Sequence, residues 1–188
     1  MAISSHLFIN CAGLDSDLMA AGAGLDIKKC GYCLHYCKGQ YFRVSAKKAS
    51  LVKRLVYPVP RPKGAGLGIH ATVDLGAGLR LGPDDEYLKT REKNYEVDLT
   101  KRHAFFESVH RFLPFIEEQD LSADTSGIRP KLQGPGDDFR DFVIKEESDN
   151  GLPNFIDLIG IESPGFTASL AIARYVNKLI EKRMINTK

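Results

Sequence analysis

Apolar positions first gather at residues 7–10, a run too short for a helix that stops at Asn-Cys-Ala-Gly and reads as the end of a strand. Residues 15–23 are rich in small side chains and read as a helix, with Asp15 or Ser16 as its cap. From residue 40 to 80 the pattern turns to β. Residues 41–44 and 51–59 are β-prone, and 67–75 alternates apolar with small or polar positions. Residues 79–81 follow Gly76-Ala77-Gly78, a hairpin signal. Pro58, Pro60 and Pro62 exclude a central strand there, because proline cannot donate to a ladder.

Residues 99–119 carry the strongest helical period, with Phe105, Val109, Phe112, Leu113 and Ile116 on one face and Pro114 expected to kink or divide the segment. Three further strands are expected at 128–132, 139–144 and 155–159. A last helix is expected to open at Ser163-Pro164, a cap followed by proline at the first helical position. It would turn Leu170, Ala173, Val176, Leu179 and Ile180 inward and end among Lys178, Lys182 and Arg183, cations suited to a helix carboxyl terminus. The fold class is therefore α+β, with a mostly antiparallel or mixed sheet covered by helices.

Composition narrows the function classes. At 188 residues the chain holds one domain or somewhat more, and 43% hydrophobic with 27% charged residues excludes wholesale disorder. Lys plus Arg is 26 against 24 acids, a net charge of +2 spread along the chain, so nucleic acid is not an expected partner. No apolar run reaches the roughly 18 residues a membrane span needs, and the first ten residues lack the pattern of a signal peptide, so a cytoplasmic location is expected.

Cys11, Cys30, Cys33 and Cys37 cluster in the first fifth of the chain, unlike a disulfide framework. Cys30-x-x-Cys33 and Cys37 with His35 offer zinc at most a cramped ligand set, and reduced thiols are the simpler reading. No metal is expected.

Glycine is frequent, yet Gly22-Ala-Gly24, Gly64-Ala-Gly66 and Gly76-Ala-Gly78 all lack the third glycine of a dinucleotide-binding turn. Gly160-Ile-Glu-Ser-Pro-Gly165 differs, since a strand feeds a tight turn whose N–H groups, near Gly165 and Thr167, suit an anion or a polarised carbonyl. Arg129, held between Gly127 and Pro130, could grip a carboxylate with two parallel hydrogen bonds or form an ordinary surface ion pair. His70 sits mid-strand, where a structural role and a base are both open.

In a fixed order, several segments carry a resemblance. They are Phe8-Ile-Asn-Cys-Ala-Gly-Leu14, Tyr57-Pro-Val-Pro60, Gly66-Leu-Gly-Ile-His-Ala-Thr72, Leu81-Gly-Pro83, Ser126-Gly-Ile-Arg-Pro-Lys-Leu132, Asp141-Phe-Val-Ile144, and the long run from Gly160 to Ile172. Together they resemble the later part of FAD-dependent oxidoreductases of the glycine/D-amino-acid oxidase superfamily. The branch is that of L-2-hydroxyglutarate oxidase and dehydrogenase, and only residues 26–38 fall outside the likeness.

The resemblance implies a carboxy-terminal portion of such an enzyme, without the opening strand, glycine-rich turn and helix that hold the ADP half of FAD. It implies that residues 1–25 end an FAD-binding domain, 26–125 form a substrate-binding domain, and 126–188 return to the FAD-binding domain. Ala12, Gly13, Gly160, Ser163, Gly165, Phe166 and Thr167 would then face the cofactor FAD. Arg129 would hold the carboxylate of a small-molecule substrate. Lys131, Arg43 or Arg80 would meet a second carboxylate, and His70 would be the base. The expected activity is oxidation of a 2-hydroxy acid by hydride transfer to flavin, with this chain alone inactive. An amino-acid oxidase and a non-catalytic substrate-domain fragment are the alternatives. Surface left by a missing domain would promote self-association.

Overall fold

The computed structural model describes residues 4–59 and 68–185. In chain order the elements are β1 (Phe8–Asn10), α1 (Ser16–Gly22), β2 (His35–Val44), the short α2 (Ala46–Ala49), β3 (His70–Val73), β4 (Leu79–Gly82), β5 (Glu86–Tyr87), α3 (Arg102–His110), β6 (Leu121–Lys131), β7 (Val143–Glu146), β8 (Phe155–Ile159) and α4 (Ser169–Ile185). This is the expected α+β class with mixed and antiparallel pairing. The chain divides into two compact units, residues 1–36 with 129–188 and residues 37–128.

The first unit is built on a three-stranded sheet of order β1-β8-β7. β1 runs parallel to β8, with Phe8, Ile9 and Asn10 opposite Phe155, Ile156 and Asp157. β7 is antiparallel to β8, placing Lys145 opposite Asp157. Phe8 stacks on Phe155 with ring centroids 5.0 Å apart. The core joins Ala20 of α1 to Leu25, Tyr32, Leu34, Leu132 and Ile159, so residues 25–34 pack within this unit. α1 begins one residue after Asp15, but Asp15 does not cap it. Its carboxylate instead accepts the Tyr36 hydroxyl at 3.2 Å.

In the second unit β3, β4, β2 and β5 are neighbours in that order, and β6 also pairs with β2. The expected hairpin is β3–β4, and Asp74 makes its turn by accepting the N–H groups of Gly76 and Gly78 at 2.9 and 2.8 Å. α3 lays Phe105 and Val109 onto Phe42, Leu79 and Leu81 to close the core. The Phe42 and Phe105 rings meet tilted at 4.7 Å. Asp98 caps the turn leading into α3 by accepting the Thr100 N–H at 2.9 Å.

Four expectations are corrected. Residues 51–59 form no strand, and only Val56 bridges Ala71. Lys53, Arg54 and Pro58 interrupt the apolar alternation a ladder needs, and Pro60, Pro62, Gly64 and Gly66 lie outside the described residues. The central helix stops at His110, short of Pro114, although Leu113 and Ile116 still reach the core. β7 starts at Val143 rather than at residue 139, leaving Phe139 80% exposed.

The last helix opens at Ser169, not at Ser163-Pro164. Residues 163–168 are spent on tight turns in which the Gly165 N–H reaches Glu162 O and the Ala168 N–H reaches Pro164 O. Of its expected inward face only Val176 is buried, while Leu170 is 75% exposed.

Candidate functional site: the groove beyond the parallel strand ends

Parallel strands place the loops that follow them at one end of a sheet, and ligands of open α/β sheets bind outside those carboxyl ends. In the first unit the loop after β1 carries Ala12 and Gly13, and the loop after β8 carries Gly160 to Thr167. Between them and α4 opens a groove of about 630 Å³, lined among others by Cys11, Gly13, Leu158, Ile161, Gly165 and Ile172. Its size suits an organic ring system, and its apolar walls suit a flat face more than a free anion.

Glycine is required at this rim for geometric reasons. Gly160 has φ +71°, and a Cβ there would lie 2.7 Å from Leu132 Cγ. A Cβ at Gly165 would lie 2.7 Å from the Glu162 carbonyl oxygen. The turn around Gly165 uses the N–H groups of Gly165, Ala168 and Ser169. Those of Phe166 and Thr167 have no backbone acceptor among the described residues, and both residues are exposed. The donors expected at a helix start are therefore present, but in the turn ahead of the helix. The apolar groove, its glycine rim and these N–H groups fit the ring end of a flavin.

The loop after β1 is held from below. Asn10 is 1% exposed. Its Nδ2 donates to Ser16 O and to Asp157 Oδ1, both at 2.7 Å, and its Oδ1 accepts the Ala12 N–H at 3.2 Å. Asp157 is itself fully buried, and burial together with the nearby Glu147 pushes its carboxyl up to about 6, against the opposing Asn10 hydrogen bond. The buried Glu147 accepts the Tyr32 hydroxyl at 2.8 Å. Burial and this carboxylate raise the Tyr32 hydroxyl above its ordinary range. Sequence reasoning passed over this network. Its signal was a single acid inside the apolar run Phe155-Ile-Asp-Leu-Ile159.

The remaining expected residues have varied surroundings. Half-buried Arg129 and Lys131 lie on β6, and Lys131 Nζ is 2.7 Å from Glu162 Oε1. Arg43 and Arg80, opposite each other on β2 and β4, share Asp74 and Asp124, with Arg80 Nε 2.8 Å and Arg43 Nε 3.3 Å from Asp124. Both guanidinium groups are thereby engaged inside the second unit.

His70 is also in that unit. It stacks on Tyr57 at 4.4 Å and lies 3.3 Å from Gly68 O through Nδ1. Burial lowers its basicity, and the Gly68 bond offsets this in part. A carbonyl can only accept, so that bond puts the proton on Nδ1 and leaves the Nε2 lone pair to accept one. Cys11, Cys30, Cys33 and Cys37 are all free thiols. Among the described residues no group of three or more His, Cys, Asp or Glu side chains could hold a metal.

The chain is 38% identical to the mitochondrial L-2-hydroxyglutarate dehydrogenase of Arabidopsis thaliana, over 93% of this chain and 38% of that protein. It is 28% identical to an L-2-hydroxyglutarate dehydrogenase of Indibacter alkaliphilus, over 97% of this chain and 52% of that one. The chain thus spans about half or less of these relatives. An L-alpha-glycerophosphate oxidase from Mycoplasma pneumoniae, solved dithionite-reduced with FAD bound, shares the fold with a TM-score of 0.72 at 22% identity, over 92% of this chain and 42% of that one. Residues 2–179 match the family described as DAO, FAD dependent oxidoreductase. The chain belongs to that family of FAD-dependent oxidoreductases.

Proposed function

We propose that this chain forms the flavin-facing and substrate-binding part of an oxidoreductase acting on a 2-hydroxy acid of the L-2-hydroxyglutarate type. The observation that carries the reading is the apolar groove with a glycine rim beyond the paired ends of β1 and β8. The 38% identity to a protein named L-2-hydroxyglutarate dehydrogenase supports the substrate class. In this reading the terminal segments, 1–25 and 126–188, belong to an FAD-binding domain and 26–125 to a substrate-binding domain, except that residues 26–36, which pack in the first unit, go with the FAD-binding side.

Bound FAD supplies a two-electron acceptor for hydride. Cys11–Gly13 and Gly160–Thr167 would hold its ring end, and the N–H groups of Phe166 and Thr167 would stabilise negative charge that collects on it. Ala12, Gly13 and Gly160 would let the backbone approach the ring, and Ser163 and Phe166 belong to the same turn. Arg129 binds the substrate carboxylate. Lys131, whose ammonium already gives one of its three donors to Glu162, meets a second carboxylate. His70, with Nε2 free of a proton, takes the hydroxyl proton of the substrate.

The test is a visible spectrum of the purified chain after incubation with excess FAD and removal of free cofactor. A retained flavin spectrum that bleaches with L-2-hydroxyglutarate upholds the proposal. A colourless protein overturns flavin retention by this chain alone. Among the described residues no helix is long and apolar enough to cross a membrane. A cytoplasmic location is part of the proposal, and cell fractionation checks it against the mitochondrial location carried in some relatives' names.

A further inference from the structure

A buried carboxyl group is joined through one amide to the loop that faces the groove. Asp157 Oδ1 is bonded to Asn10 Nδ2, and the same carboxamide holds the Ala12 N–H through Oδ1. Asn10 has no hydrogen-bonding capacity to spare on its donor side, because its second amide hydrogen goes to Ser16 O. A rotation of this carboxamide would therefore release both Ser16 and Ala12. Asp157 Oδ2 and Ser16 Oγ are buried without a hydrogen-bond partner among the described residues, and both belong to residues bridged by Asn10.

We propose that Asp157 is a positioning residue for the Cys11–Gly13 loop, its carboxyl group setting the loop's backbone through the Asn10 carboxamide so that loop shape follows the protonation of that carboxyl. The ionised group accepts a charge-assisted hydrogen bond from Asn10 and holds the amide in the orientation that also grips Ala12. A proton taken from solvent converts the group into a weaker acceptor with a donor of its own, and the buried Ser16 Oγ is an oxygen without a partner in the same network.

The other charged and titratable groups around Asp157 are accounted for. Glu147 is a buried like charge that favours the protonated form, and it is already bonded to Tyr32 and Asn150. Lys145, opposite Asp157 on β7, has its ammonium 3.9 Å from Glu147. Asp17 of α1 accepts the N–H groups of Leu18 and Leu34.

The importance of the loop for cofactor binding rests on the function proposed above, but its control by Asp157 does not. The test is therefore read first without flavin. The 15N amide resonances of Ala12 and Gly13 in the 188-residue chain are followed from about pH 5 to about pH 8, in the wild type and in Asp157→Asn. A common inflection near pH 6 in the wild type, absent from Asp157→Asn, is the expected result. Flat wild-type resonances, or an inflection that persists in Asp157→Asn, overturn the inference, and the wild-type titration decides even if the variant fails to fold. FAD titration of the same samples should show affinity that changes about tenfold across the wild-type inflection, the effect of one pKa unit of coupling. Titrating amides without any flavin binding uphold the loop control and overturn flavin retention by this chain alone.

Discussion

At the scale of single residues, Asp157 shows how burial turns one side chain into a pH-dependent cost. Its carboxyl group is raised from 3.8 to about 6, so the folded state binds its proton more tightly than the unfolded chain does. Stability from this group is fully present below about pH 4 and is lost as pH rises through about 6, which amounts to about 3 kcal/mol at neutral pH. Asp157→Asn keeps an acceptor for Asn10 and removes the charge. The unfolding free energy of Asp157→Asn from urea titration at pH 7.5 is expected to exceed that of wild type by about 1–3 kcal/mol, with the difference vanishing near pH 4. Asp124 is held by geometry instead, sitting between two arginines. Asp124→Asn should lower the unfolding midpoint at low salt, and the loss should shrink on adding salt that screens Arg43 from Arg80. Arg129 and His70 could be picked out in the sequence as residue types with chemistry. The partners that occupy Arg43, Arg80 and Lys131 could not, because all but Asp74 beside Arg80 lie 31 or more positions away along the chain.

Among the elements, the two helices with apolar periodicity fared differently. The stripe on α3 predicts its burial well, since Phe105 and Val109 meet a sheet on that side. The same kind of stripe on α4 does not, because only Val176 is fully buried, Leu179 and Ile180 are half-buried and Leu170 stays 75% exposed. Periodicity reports which face a helix can bury, not whether anything lies opposite it. Leu170→Ser is therefore expected to change stability by no more than about 0.5 kcal/mol, as surface substitutions do, which thermal unfolding checks. The turn ahead of α4 is the reverse case, exposed in part yet intolerant. Gly160→Ala should cost roughly 1–3 kcal/mol, from the left-handed backbone and the approach to Leu132 together, and should be visible in the same melt. Ser163-Pro164 looks like a helix start because cap and proline chemistry suit one, but compact turns around Gly165 postpone the helix to Ser169.

For the whole molecule, the exposed edge and groove of the first unit have consequences in solution. Among the described residues β1 pairs only with β8, and Phe8 and Ile9 are 43% and 38% exposed at that edge. A parallel sheet is ordinarily buried on both faces, and an open strand edge offers hydrogen bonds to another chain. The expected outcome is self-association that grows with concentration, read by sedimentation velocity. Ile9→Lys should weaken it, and a single species at every concentration would count against it.

The amino-acid sequence by itself determined the α+β class, most strand and helix positions, the β3–β4 hairpin and the family resemblance. Each of these depends on residues near one another in the chain or on motifs in a fixed order. Only the tertiary structure decided that β1 and β8 lie parallel, so that two distant glycine loops rim one groove. It also decided that Asn10 bridges Asp157 to Ala12, and that most of the α4 stripe faces no core. Those outcomes depend on which distant segments meet, and burial, hydrogen bonding and shifted acidity arise only where they do.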